Sequence, residues 1–159
     1  MEKTIRKAER SDVKTILEFI KGLAVYEKLE NEVVATEELL CEWLFDKKKA
    51  NVLIAEADGK PAGFALYFYN FSTFLGRAGI YLEDLFVLPE YRGKGFGKGL
   101  ITKLADIALE EGCGRLEWSC LDWNTPSINF YKSIGAFPME DWTVYRMTVP
   151  EMKKLTKKN

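Results

Sequence analysis

A glycine-rich segment with interleaved basic residues is the strongest chemical signal in this sequence. It reads Leu-Pro-Glu-Tyr-Arg-Gly-Lys-Gly-Phe-Gly-Lys-Gly over residues 88–99, between an apolar strand-like run and an amphipathic helical pattern. Glycine lets a backbone turn tightly and approach a ligand closely, and the N–H groups of a helix N-terminus attract anions. Arg92, Lys94 and Lys98 add positive charge. The segment predicts a pyrophosphate-binding loop; the alternative is a flexible turn between strand and helix.

Two common phosphate-binding patterns do not fit this loop. A P-loop needs a glycine five residues before a Gly-Lys-Ser/Thr triplet, and neither Gly-Lys pair meets that requirement. The dinucleotide pattern Gly-x-Gly-x-x-Gly fails because positions 98 and 100 are Lys and Leu. The pattern that remains is Arg92-x-x-Gly95-x-Gly97.

A pair of acids interrupts the apolar run before the loop. Glu83 and Asp84 stand inside the sequence Ile-Tyr-Leu-Glu-Asp-Leu-Phe-Val-Leu of residues 80–88. A strand covered on both faces is apolar throughout, and buried carboxylates are costly unless they are paired or used. The break therefore indicates a functional site, although a wet strand face or a bulge would also explain it.

The absence of histidine among the 159 residues narrows the possible chemistry. Ser-His-Asp and Cys-His nucleophile systems and His-ligated metals are excluded. Proton transfer must use carboxylates, tyrosine, cysteine, lysine, backbone or water. Cys41, Cys113 and Cys120 form no CxxC pair, so we expect neither a disulfide framework nor a metal site.

Charge and hydropathy favour a folded protein without a nucleic-acid or membrane partner. The 23 basic and 24 acidic residues leave a formal net charge of −1, which gives no global field toward either partner. Residues 1–6 lack a signal-peptide pattern, and no apolar run approaches the roughly 20 residues that span a bilayer. We expect a single domain over residues 1–159 in the cytoplasm.

Strand-like and helix-like patterns alternate in the order β, α, α, β, β, β, α, β, α, β. The predicted strands are residues 4–8, 51–57, 63–69, 79–88, 115–121 and 142–149. Asp58-Gly59 predicts a hairpin turn, and the Lys-rich tail after Pro150 is expected to be a short frayed end. The order predicts an α/β fold with a mixed central sheet and helices on both faces.

A second motif lies in residues 121–136, which read Leu-Asp-Trp-Asn-Thr-Pro-Ser-Ile-Asn-Phe-Tyr-Lys-Ser-Ile-Gly-Ala. Together with Arg92-x-x-Gly95-x-Gly97, it resembles the motifs of GNAT acetyltransferases. More narrowly, residues 23–27, 81–84, 91–93 and 123–132 resemble the spermidine/spermine N-acetyltransferase family, which includes thialysine acetyltransferases. The resemblance covers nearly the whole chain and implies the GNAT fold, with about six to seven strands in its sheet.

The resemblance implies a cleft for acetyl-CoA. Backbone groups of Leu85, Phe86 and Val87 would pair with the pantetheine arm like an added strand. The pyrophosphate would be held by Arg92, Gly93, Lys94, Gly95, Phe96, Gly97 and Lys98. Asn124 and Ser127 would line the cleft, and Tyr131 would lie near the thioester sulfur as general acid.

The resemblance also implies an acceptor side. Glu83 would face the amine as base, directly or through water. Contacts to a cationic substrate would come from Tyr26, Glu27, Asp84 and Glu140, with Trp142 as an aromatic wall. Plainer explanations stay open: Tyr131 and Trp142 could pack in a core, Tyr26 and Glu27 could end a helix, and Glu140 could lie in a solvated turn.

The expected activity is direct acetyl transfer from acetyl-CoA to a primary amine of a small cationic acceptor such as a polyamine. Two alternatives remain open: acetylation of thialysine, lysine or another amino acid, and acyl-CoA binding without turnover. An amino-acid acceptor would need a basic partner for its carboxylate, which the sequence alone does not place. The resemblance further implies a homodimer.

Overall fold

The computed structural model describes residues 1–157. The chain groups into two compact units, Met1–Leu121 and a second unit that begins at Asp122. The strands are β1 Lys3–Lys7, β2 Asn51–Ala57, β3 Lys60–Ser72, β4 Arg77–Val87 and β5 Leu116–Trp118. The helices are α1 Val13–Tyr26, α2 Glu37–Leu40, α3 Phe96–Glu110, α4 Thr125–Ser133 and α5 Val149–Thr156.

The sheet of the first unit is mixed, as predicted. Its strands lie in the order β1-β2-β3-β4-β5, antiparallel as far as β4. β5 joins β4 in parallel over three pairs only, from Ile80↔Leu116 to Leu82↔Trp118. At Asp58-Gly59, φ is +49° and +80°, and two positive φ values in a row are typical of the type I′ hairpin turn.

Register divides the strand side chains between two faces, each covered by a helix. Phe64 pairs with both Ile54 and Phe86, and the Phe19 ring of α1 lies 5.4 Å from the Phe64 ring centroid. On the other face Ile5 meets α3, since a Cβ at Gly99 would lie 3.5 Å from Ile5 Cδ1. Helices therefore cover both faces, with α1 on one and α3 on the other.

The prediction of six to seven strands is wrong for residues 1–157, which contribute five. Residues 142–148 have no strand pairing, although their β-branched and aromatic side chains favour a strand. Such a pattern indicates only a local preference for extended backbone. A β-strand also needs a neighbouring strand with which to form hydrogen bonds.

The prediction of a frayed tail after Pro150 is also wrong, because α5 begins at Val149. The Thr148 N–H and hydroxyl both donate to Glu151 Oε1, at 2.9 and 2.6 Å. This capping box, with proline in the first turn, stabilises a helix start. Within residues 1–157, no helix has the length and apolar character required to cross a bilayer.

Candidate active site

β4 carries a β-bulge where the sequence places its two acids. Leu66 of β3 pairs with Asp84, while Tyr67 pairs with Leu82, so Glu83 is an extra residue without a partner on β3. Neighbouring residues of β3 point to opposite faces, and their partners Leu82 and Asp84 therefore do so too. Asp84 lies on the α1 face, half-buried, whereas Glu83 is exposed.

Two neighbouring carboxylates of the first unit act on Asp84 at this bulge. Burial, followed by the negative charges of Glu83 and Glu27, raises the pKa of Asp84 to about 6. Burial also raises the pKa of Glu27, the residue that follows α1. Because like charges disfavour ionisation of a buried acid, a cation among these groups would lower the electrostatic free energy. The arrangement suits an ammonium group.

The Arg92 side chain connects the glycine-rich loop to this acidic region. Its Nε donates to the Val87 carbonyl oxygen at 2.9 Å. Its guanidinium lies 5.1 Å from the Tyr26 ring centroid and 5.5 Å from that of Phe86, distances typical of cation–π contact. A permanent positive charge thus lies beside Tyr26, one residue before Glu27.

The glycine-rich loop has the backbone geometry of an anion-binding turn. Gly93 and Gly95 have φ of +74° and +89°, in the left-handed region that glycine adopts without a Cβ penalty. Gly95 caps the N-terminus of α3, and buried Phe96 anchors the first turn of that helix. Lys94 and Lys98 are exposed. The loop therefore presents helix N–H groups and two ammonium groups to solvent.

Residues 85–87 of β4 lie beyond the end of the pairing with β5, which stops at Leu82. On the other side they pair with β3, from Ala65↔Leu85 to Gly63↔Val87. The edge that faces away from β3 can accept an extended chain with amide groups, except at the Val87 carbonyl oxygen, which already accepts from Arg92 Nε. An extended pantetheine arm with a pyrophosphate at the loop fits this combination of a free edge and an anion site.

The second unit carries the other predicted site residues. Asn124 caps α4, since its side chain accepts a hydrogen bond from the Ser127 N–H at 3.4 Å. Asn124 is buried and Tyr131, on the same helix, is half-buried. Glu140 lies in an exposed turn and Trp142 is 74% exposed.

The predicted residues therefore fall into two sets. The structure brings Tyr26, Glu27, Glu83, Asp84 and Arg92 close to one another in the first unit. It places Asn124, Ser127 and Tyr131 on one helix of the second unit. That the two sets form one cleft stays a prediction.

Lys3 is a contact of the loop that reading the sequence did not single out. Its Nζ donates to the Lys94 carbonyl oxygen. A lysine 91 positions before its partner gives no signal in a single sequence. Residues 1–157 contain no group of three or more His, Cys, Asp or Glu side chains able to hold a metal ion.

The acetyltransferase (GNAT) family matches residues 14–136. This match spans the bulged strand, the glycine-rich loop and α4. The chain belongs to the GNAT acetyltransferase family, whose members use acetyl-CoA and transfer an acetyl group to amine acceptors.

Curated relatives extend this assignment over nearly the whole chain. A thialysine N-ε-acetyltransferase of Bos taurus is 39% identical, with 97% of each chain covered. An L-ornithine N5-acetyltransferase of Arabidopsis thaliana is 32% identical over 98% of this chain and 88% of its own. Human spermidine/spermine N(1)-acetyltransferase-like protein 1 is 33% identical over 93% of this chain and 23% of its own.

Solved structures share the fold. An integron cassette protein from the mobile metagenome of V. cholerae has a TM-score of 0.82 and 30% identity, with 99% of both chains covered. AAC(6')-Iy, in complex with the bisubstrate analogue CoA-S-monomethyl-acetylneamine, has a TM-score of 0.75 at 22% identity, covering 93% of this chain and 99% of its own. The second likeness is one of fold alone.

Proposed function

We propose that this protein transfers an acetyl group directly from acetyl-CoA to a terminal primary amine of a small cationic acceptor. The observation that carries the proposal is the cluster of Glu27, Glu83 and Asp84, in which burial, and then repulsion from the other two acids, raises the pKa of Asp84 to about 6. A bound ammonium would relieve that repulsion. The electrostatic free energy of this site would therefore fall when a cation binds.

The acceptor must lose a proton before it can attack the thioester. An alkylammonium has a pKa of about 10.4, so only about one in a thousand molecules is neutral at pH 7.4. Glu83 is exposed at the bulge and can take this proton directly or through water, while Asp84 and Glu27 hold the cation. Tyr26 and Glu140 are further proposed contacts, and Trp142 a proposed wall.

The leaving sulfur needs a proton in return. In the proposal, Tyr131 donates it from α4, and the new N–C bond forms as the C–S bond breaks, without an acyl-enzyme. The amide nitrogen then loses its extra proton through water, and a proton from water restores the tyrosine. The thiol pKa of about 8.5 and the tyrosine pKa of about 10 make this transfer slightly uphill but feasible. A backbone N–H of the interrupted strand would stabilise the thioester oxyanion in this proposal.

The cofactor would lie along β4 and the loop. Residues 85–87 offer the free strand edge, and residues 92–98 offer the anion site. Asn124 and Ser127 would line the cleft from the second unit. The chemistry that the cofactor supplies is an activated thioester; the residues of the chain orient it and exclude water.

Two acceptor classes fit this site. The spermidine/spermine-like relative supports a polyamine, whereas the thialysine and ornithine enzymes support an amino acid with a side-chain amine. An amino acid brings a carboxylate that needs a basic partner. Arg92, 5.1 Å from the Tyr26 ring, supplies a candidate, and on this ground we place the amino acid first.

The test is release of free CoA thiol from acetyl-CoA with thialysine, ornithine, lysine, putrescine, spermidine and spermine. Fast release with the amino acids and slow release with polyamines is the expected result. The reverse order would move the function to polyamine acetylation with the same mechanism. Tight acetyl-CoA binding without release for any of the six would refute the proposed amine acceptor.

Arg92→Gln separates the two acceptor classes further. At saturating acetyl-CoA, the variant should raise KM for an amino acid by about tenfold and leave KM for putrescine within about twofold. Saturation separates this effect from any loss of cofactor affinity. An equal rise for both acceptors would remove Arg92 from carboxylate recognition.

We further propose a cytoplasmic homodimer. Trp142, Val144 and Tyr145 are 74%, 82% and 92% exposed, and an apolar segment of this kind is typical of a protein–protein interface. The three free cysteines suit a reducing compartment. Light scattering should give twice the chain mass of 18.2 kDa, and Tyr145→Glu should halve it; a monomeric wild type would refute the dimer.

A further inference from the structure

Lys3 contacts three consecutive residues of the glycine-rich loop from β1. Its Nζ donates to the Lys94 carbonyl oxygen. The same nitrogen lies 3.4 Å from the place that a Cβ on Gly95 would occupy, and 5.5 Å from the Phe96 ring centroid. The Lys3 side chain therefore links β1 to the glycine-rich loop and to the first residue of α3.

This contact acts on a particular peptide group. The Lys94 carbonyl belongs to the same peptide plane as the Gly95 N–H. A cation at the oxygen polarises the peptide and makes its N–H a stronger donor, because hydrogen bonds in series reinforce each other. In loops with alternating positive and negative φ, the N–H groups gather on the side where an anion binds.

We propose that Lys3 is a positioning residue for the pyrophosphate of the cofactor. It holds the loop from the side of the Lys94 carbonyl oxygen and strengthens the Gly95 N–H, without touching the reacting atoms. The inference rests on the proposed role of residues 92–98 in cofactor binding. It adds to that site a residue of β1, the first strand of the chain.

The test compares a cofactor that has a pyrophosphate with one that lacks it. Lys3→Met should raise the Kd of CoA about tenfold, measured by calorimetry on the free protein. Its kcat/KM should fall about tenfold with acetyl-CoA but less than about twofold with S-acetylpantetheine, while kcat at saturating acetyl-CoA is kept. Lys7→Met, an exposed lysine on the same strand, is the matched control.

Lys3→Arg keeps a cationic donor and should recover at least half of the lost affinity in logarithmic terms. Equal losses with acetyl-CoA and S-acetylpantetheine would show a general structural defect and overturn the inference. So would an unchanged Kd for CoA. A wild type that binds no CoA would instead refute the proposed cofactor loop, and Lys3 with it.

Discussion

The pKa of Asp84 connects the acceptor site to proton concentration at the scale of one residue. Because this pKa is raised to about 6, Asp84 is negative above that pH and largely neutral below it. A neutral carboxyl attracts an ammonium less strongly. The KM for the amine, measured at saturating acetyl-CoA, should therefore rise as pH falls through about 6.

Asp84→Asn should remove that inflection and raise KM at pH 8 by about tenfold or more. Glu90→Gln neutralises an exposed acid near the start of the glycine-rich segment. This variant should keep the wild-type pH profile of KM. A pH profile of Asp84→Asn that still bends near 6 would assign the ionisation to another group.

Tyr131 offers a second test at this scale. Tyr131→Phe removes only the hydroxyl, so turnover should fall by about 100-fold or more while the Kd of CoA stays within about threefold. Tyr69→Phe, at a 44% exposed tyrosine of β3, is the control for loss of a phenol hydroxyl. Turnover near the wild-type rate in Tyr131→Phe would exclude it as general acid.

Some residue roles could be predicted from the sequence because they break a local rule. Glu83 and Asp84 are acids in an apolar strand, and a bulge was one of the explanations that this conflict allowed. Which acid is buried could not be predicted, since it depends on which residue is left without a partner on β3. The contacts of Lys3 and Arg92 depend on tertiary packing, which a single sequence does not reveal.

At the scale of elements, two glycines of one loop should respond in opposite ways to alanine. Gly97 lies in α3 with an ordinary φ and with nothing within 4 Å of an added Cβ. Gly97→Ala should therefore stabilise the protein by about 0.5–1 kcal/mol. Gly95 has a φ of +89°, and Gly95→Ala should destabilise it by about 1–2 kcal/mol.

Urea denaturation measures the change in the free energy of unfolding for both substitutions, and titration with CoA measures the change in affinity. Gly97→Ala should retain CoA affinity, since an added Cβ meets nothing within 4 Å there, whereas Gly95→Ala should lose it. Comparable effects of the two substitutions on stability and on affinity would mean that the left-handed turn does not organise the loop.

Element boundaries were predictable where the signal is local. Asp58-Gly59 predicted its hairpin, and Gly112, with a φ of +75°, lies just after α3 as a helix-ending glycine commonly does. The start of α5 also had a local signal, Thr148-x-x-Glu151, which the charge of the tail obscured. Residues 142–148 show the opposite case, in which the local preference for a strand meets no partner.

At the scale of the whole molecule, the cluster of Glu27, Glu83 and Asp84 should lower the free energy of unfolding, while it raises the affinity for the cationic acceptor. The raised pKa means that the native state binds its Asp84 proton more tightly than the unfolded chain. Stability contributed in this way is complete below about pH 4 and is lost as pH rises through about 6. Asp84→Asn should therefore be more stable than the wild type by about 2 kcal/mol at pH 8.

The same comparison at pH 4 should give nearly equal stabilities, as measured by urea unfolding at both pH values. Glu90→Gln again serves as the control. A difference between wild type and Asp84→Asn that is independent of pH would indicate that packing, not charge, distinguishes the two proteins.

The parting of β4 from β5 after Leu82 has a consequence for inhibitor design. In the proposed cofactor site, the edge at residues 85–87 would bind an extended chain through main-chain groups, which do not change when side chains mutate. A short peptidomimetic with alternating amides could occupy that edge without any phosphate, and a terminal guanidine could reach toward Asp84. Resistance to such a compound would have to arise through backbone changes in the strand, which the sheet tolerates poorly.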